Sequence, residues 1–340
     1  MTTSNIKSDT ITVTPLEDKP LGCTVTLPAY CHNDPSLLNE EDHKKLYEAV
    51  LTYLVVVIPG QGNFSPKSQY NLTKSFDSSL KEEISYGHED KILANDKSIL
   101  KRDLITIKEQ PEVHVLGHGV WNDPKYGKED INLKHPTHFA FHKEHLPKEK
   151  CFDVPEGEIP WTRFYRWHID SALYKLYPPK ITTLLGLKVP SKRQKAIIKS
   201  CMHLTHTYTS VNVEQLNDGL TICNEGKELG LDELPPWEEK HIMKLPLVWT
   251  NPVTGKHHLQ VHGCCVYKLY LPNGEVLELE KARELIYKWM KPAINPEHVY
   301  AHEWTNGELC IFYNRGCLAL RLWSIRRRRD KIVPPMQHRQ

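Results

Sequence analysis

The sequence predicts a mainly β fold with flanking helices, and three observations carry that expectation. Short runs of β-branched and aromatic residues recur along the chain and stop at proline or glycine, as at residues 50–58, 181–189 and 266–271. Helical pattern is confined to three stretches, at 39–47, 65–76 and 281–290. No internal repeat or long linker interrupts the pattern, so a β sandwich or barrel decorated with helices is the expected architecture.

The elements follow in order. Residues 1–20 carry Thr, Ser and Asp with little apolar pattern and read as a flexible, fraying N-terminus. Asn39, followed by Glu40, Glu41 and Asp42, opens a helix through Tyr47, because acidic side chains favour a helix N-terminus. The apolar run at 50–58 ends at Pro59-Gly60. Its β-branched content predicts a buried strand, and it is far too short to span a bilayer. Ser65 caps a second helix with Pro66 at its first position and Tyr70, Leu72 and Phe76 as buried positions. Residues 103–107 and 113–116 read as short strands. Pro178-Pro179 breaks the chain ahead of an apolar strand at 181–189. Later strands are expected at 245–249, 259–261, 266–271 and 309–313, with a helix at 281–290.

Composition bounds the partners. The chain has 340 residues, 39% hydrophobic and 25% charged, which is ordinary for a soluble globular protein. A net charge of +2 predicts neither a nucleic-acid nor a membrane partner. The nine cysteines are odd in number, and Cys264 and Cys265 are adjacent, so they read as reduced thiols in a cytoplasmic protein. The opening MTTSNIKSDT lacks the apolar stretch of a signal peptide.

Chemistry centres on Trp167-His168-Ile169-Asp170. In extended backbone, residues two apart leave from one face, so the His168 imidazole and the Asp170 carboxylate can both reach one metal ion. These are two of the three donors of the non-haem iron facial triad. Spacing alone is a weak signal, since most His-x-Asp pairs are surface or capping residues.

Context adds weight. The stretch RFYRWHIDSALYKLYPPKITTLLGLKVP at 163–190 resembles the iron-binding stretch of the taurine-dioxygenase superfamily. LKHP at 133–136, QPEVHVLGHG at 110–119, LPLVWTNPVTGK at 245–256 and VYAHEWTNGELCIFYNRG at 299–316 resemble the fungal xanthine dioxygenases within it. The resemblance covers roughly residues 45–195 and 217–317. It implies a double-stranded β-helix, the cupin-like jelly roll. It also implies an Fe(2+) cofactor, with 2-oxoglutarate and O2 as cosubstrates, and hydroxylation of xanthine to uric acid. By the same resemblance His168 and Asp170 are metal ligands, Trp304 lies near 2-oxoglutarate, and Gln110 and Lys134 meet the purine. Read without it, Lys134 is equally a surface lysine, Trp304 is at least as well a packing aromatic, and Gln110 is better read as a loop glutamine. His135, His138 and His142 crowd together, but no acidic residue accompanies them at ligand spacing.

The chain also departs from the pattern. After Asn314-Arg315-Gly316 the family carries a distal histidine ligand, and Ala319 stands at that offset here. The family's carboxylate-clamping arginine is not recognisable downstream. Residues 318–340, with the run Arg326–Arg329, read as an aberrant tail, and 196–216 as an aberrant segment after a gap at 190–195. Codons permitted by both segments, read in a shifted frame, spell family-like words, including the missing Leu-His-Ser. The jelly roll is therefore expected to be incomplete in its core and C-terminal strands. Three readings stay open: a xanthine hydroxylase, a catalytically silent jelly-roll binding protein, and an oxygenase acting on a sulfonate or other small acid.

Overall fold

The computed structural model describes residues 9–77, 105–107, 109–123, 128–134, 168–170, 179–189, 194–200, 210–216, 239, 242–261, 263–293 and 299–323. Residues 12–20 correct the expectation of a wholly frayed N-terminus. Strand β1 (Thr12–Pro15) pairs antiparallel with β2 (Cys23–Thr26). Ile11 is buried and Val13 packs on the core beside it, an alternation that anchors the segment.

Helix α1 (Glu40–Tyr53) begins as its sequence predicts. The Asn39 side-chain oxygen accepts from the Asp42 N–H at 2.8 Å, and three acidic residues fill the first turn. The helix then overruns its expected end. Leu46, Ala49 and Val50 recur at helical spacing on the buried side, and that burial outweighs the β preference of valine. It stops at Leu54, which adopts a left-handed φ of 68°. The strand expected over 50–58 is thereby shortened to β3 (Val55–Ile58), buried along its whole length. Helix α2 (Pro66–Ser75) is capped by the Ser65 hydroxyl, which accepts from Ser68 N–H at 3.0 Å. Leu72 and Phe76 are buried, whereas Tyr70 is half-buried.

Two antiparallel pairs follow: β4 (Ile105–Ile107) with β5 (Gln110–Val115), and β6 (His118–Asp123) with β7 (Lys128–Lys134). The remaining elements are β8 (Ile181–Gly186), β9 (Gln194–Ser200), β10 (Asn212–Leu216), β11 (Ile242–Pro246), β12 (Val248–Thr250), β13 (His257–Leu259), β14 (Val266–Tyr270) and β15 (Val276–Leu277). Helix α3 (Leu279–Ala293) comes next, then β16 (Val299–Glu303), β17 (Glu308–Tyr313) and β18 (Cys317–Trp323).

Strand order places the site. One sheet runs β1-β2-β3-β17-β8, with β17 antiparallel to both neighbours. A second runs β11-β10-β14-β15 and is covered by α3; a third runs β16-β9-β18. Segments 196–216 and 318 onward, expected to be aberrant, supply β10 and most of β9 and β18. β9 is the middle strand of its sheet. Long-range pairing overrides their weak local pattern. Two apolar clusters result. One packs α1 and α2 on the first sheet, and the other packs α3 on the second. Among the described residues, no helix is long and apolar enough to cross a membrane.

Candidate active site

His168 and Ala319 exchange both backbone hydrogen bonds. The His168 N–H donates to Ala319 O at 3.0 Å, and the Ala319 N–H donates to His168 O at 2.7 Å. Side chains of such an antiparallel pair leave on one face of the sheet. Their neighbours agree. Ile169 (2% exposed) and Leu318 (0%) both enter the cluster beneath α3. Alternation therefore turns His168, Asp170 and Ala319 the other way, with Ala319 packed at the border of the first cluster. His168 Nε2 lies 3.4 Å from Asp170 Oδ1, and the two side chains are 34% and 30% exposed, within reach of a diffusing ion.

A buried amide fixes the other end of this short segment. Asn314, fully buried in the turn between β17 and β18, accepts the Asp170 N–H at 2.8 Å. Its Nδ2 donates to Asp170 O at 3.1 Å and to Pro179 O at 3.0 Å. The next residues are tied down by charge: Asp77, buried, lies 3.4 Å from an Arg315 Nη atom and 3.7 Å from Lys180 Nζ. Residues 168–170 are thus held by β18 at one end and by the β17–β18 turn at the other.

The other expected site residues stand on separate elements. Trp304 follows β16 and covers Gly186 of β8, where an added methyl group would sit 2.7 Å from the indole Cε3. Its ring meets His302 edge-on at 4.4 Å. Burial holds the His302 pKa below the ordinary imidazole value, against the upward pull of Glu308, whose carboxylate is 3.4 Å from Nε2. The His302 Nδ1 is 2.9 Å from the Tyr300 hydroxyl. Since β9 separates β16 from β18, His302 is not placed beside His168 in the strand order. Gln110 opens β5 and its amide bonds to Glu112. Lys134 closes β7 opposite His118, but its side chain lies outside the described residues, as do His135, His138, His142 and Arg326–Arg329.

An imidazole nitrogen and a carboxylate 3.4 Å apart on one face fit two adjacent positions around a divalent cation. Among the described residues no three His, Cys, Asp or Glu side chains converge. The donor set offered here is therefore a pair, with the methyl group of Ala319 beside it. Asn314 is the participant that sequence reasoning overlooked. Its only local signal is an Asn-Arg-Gly turn between two apolar strands.

A family model described as Taurine catabolism dioxygenase TauD, TfdA family matches residues 29–323. The chain belongs to this family. Among curated relatives of this TauD-family chain is the alpha-ketoglutarate-dependent xanthine dioxygenase xanA of Emericella nidulans. It is 39% identical over 349 residues, covering 91% of each chain. Its Schizosaccharomyces pombe counterpart xan1 is 37% identical, over 83% of this chain and 77% of that one. The Neurospora crassa xan-1 is 38% identical, over 83% and 75%. The solved structure of AAD-2 in complex with Mn(II) and N-oxalylglycine aligns with a TM-score of 0.57 at 17% identity, covering 93% of both chains. A putative alpha-ketoglutarate-dependent taurine dioxygenase from Burkholderia xenovorans aligns at 0.55 and 15%, covering 92% of this chain and 83% of that one. These likenesses show the TauD-type jelly-roll fold, a 2-oxoglutarate-dependent dioxygenase architecture.

Proposed function

We propose that this chain is an oxypurine-directed member of the family, taking xanthine as substrate and Fe(2+), 2-oxoglutarate and O2 as its reaction partners. Three curated relatives at 37–39% identity that carry the xanthine dioxygenase name support the substrate. The balanced reaction converts xanthine, 2-oxoglutarate and O2 to uric acid, succinate and carbon dioxide. The observation that carries the reading is the 3.4 Å approach of His168 Nε2 to Asp170 Oδ1, clamped by β18 and Asn314.

In this reading His168 and Asp170 bind the metal. Bound iron supplies the coupling of cosubstrate decarboxylation to substrate oxidation. Trp304 walls the cosubstrate side. Gln110 offers a donor and an acceptor to the purine edge, and Lys134 offers a cation to an anionic purine or carboxylate. A second reading, a binding protein without turnover, is favoured by one feature: Ala319 carries no donor where the facial triad needs one.

The test is xanthine-dependent release of carbon dioxide from 2-oxoglutarate under added Fe(2+), on this chain and on a version with the downstream frame restored. Turnover in the restored version supports the substrate assignment, and its absence in the chain as it stands supports the second reading for this polypeptide. Metal binding with no xanthine response in either version overturns the substrate assignment.

A further inference from the structure

We infer that Ala319 leaves one corner of the cation site open, and that an azole nitrogen supplied from outside the chain fills it. The inference rests on the reading of His168 and Asp170 as a cation-binding pair.

The geometry is carried by the backbone. Residues that exchange both hydrogen bonds in an antiparallel bridge have Cβ atoms about 5 Å apart on the same face. Ala319 and His168 form such a pair. Asp170 shares the face by the two-residue period, and the burial of Ile169 and Leu318 in the opposite cluster confirms the alternation independently. Three side-chain positions therefore converge on one locus. Two carry a nitrogen and an oxygen donor. The third ends at a methyl group that is only partly buried.

The chemistry of the missing donor follows from what stands there already. A divalent first-row cation with one carboxylate and one imidazole readily accepts a further neutral sp² nitrogen, because imidazole suits such metals. A side chain of histidine length at 319 would supply it. The difference between alanine and histidine is an imidazole ring, so free imidazole has the matching shape. Both existing ligands are about one-third exposed, which leaves an approach route for it.

The experiment uses the full chain loaded anaerobically with Co(II), whose visible absorption reports a new nitrogen donor, together with calorimetric titration of affinity. Imidazole is compared with pyrrole, a ring of the same shape without a free in-plane lone pair. His168→Ala serves as the reference for cobalt sequestered by free imidazole. Imidazole should tighten Co(II) binding and shift the spectrum, and pyrrole should do neither. Ala319→His should bind tightly without imidazole and stop responding to it. If imidazole and pyrrole act alike on the native chain, the open corner is refuted, and this holds even where Ala319→His does not fold. A folded Ala319→His that still responds to imidazole as the native chain does also refutes it. Equal Co(II) binding by the native chain and His168→Ala instead removes the cation pair, and the inference with it.

Discussion

Asp42 is 1% exposed, yet it ties three separate segments together. Its carboxylate accepts from the Thr10 hydroxyl, from the Ile11 N–H at 3.2 Å and from the Tyr30 hydroxyl at 2.8 Å, with Lys45 Nζ at 3.8 Å. Burial pushes its pKa up, but the hydrogen bonds and the ammonium outweigh it and hold the carboxyl below the ordinary value. A group depressed on folding adds stability above its unfolded pKa, near pH 4, and gives it up as pH falls through the folded value. Asp42→Asn should therefore cost about 2 kcal/mol at neutral pH and show a shallower acid limb. Urea midpoints of both proteins from pH 7 down to 3 measure this; parallel curves would exclude a titrating role for Asp42. Asn314 makes the same kind of argument for the site. Asn314→Ala leaves the Asp170 amide N–H and carbonyl and the Pro179 carbonyl short of partners, a loss of about 3 kcal/mol. It should also weaken Co(II) binding about tenfold in the folded protein, as loss of a ligand-supporting group does. A purely structural amide would lower the denaturation midpoint and leave affinity unchanged.

Strand β17 runs through the first sheet with Leu309, Cys310 and Ile311 completely buried between β3 and β8. At the β8 edge of that sheet Trp304 lies over Gly186. A methyl group at 186 would press into the indole, with Val189 Cγ1 also only 3.2 Å away. Gly186→Ala should destabilise the protein by about 2 kcal/mol through overpacking and shift the tryptophan emission. Unchanged emission and stability would mean that the indole yields freely. Elements with strong local signals were legible from sequence. Asn39 with its acidic turn, Ser65-Pro66 and the apolar runs of β8 and β17 each appear close to where they were expected. The misses share a physical cause. Val50 and Leu51 look like strand residues but complete the buried stripe of α1. β9, QKAIIKS, owes its extended state to β16 and β18, far away in sequence, which no local window contains, and β7, KEDINLK, is held by its hairpin partner β6 rather than by an apolar pattern of its own.

At the scale of the whole molecule, residues 168–170 and β18 lie on the seam between the two apolar clusters. Ile169 and Leu318 belong to the cluster under α3, while Cys317 belongs to the cluster around β17 and Ala319 packs against it. The His168–Asp170 pairing was legible because a two-residue period is local. The Ala319 bridge and the Asn314 clamp were not, because they join residues more than a hundred positions apart, 144 in the case of Asp170 and Asn314. A seam of this kind makes the site sensitive to apolar packing on its far side. Leu318 and Leu269 are both fully buried in the cluster under α3, and truncating either to alanine should cost about 3 kcal/mol. Their positions differ. Leu269 sits in β14, paired to Val213 and Leu277 away from the seam, whereas Leu318 immediately precedes Ala319. Leu318→Ala removes the anchor that sets the facing of Ala319, so the bridge to His168 loosens and Co(II) affinity falls. Leu269→Ala should lower the urea midpoint equally and leave Co(II) affinity at the native value. Equal affinity losses in the two variants would show that the site depends on global stability alone, and that the seam transmits nothing specific.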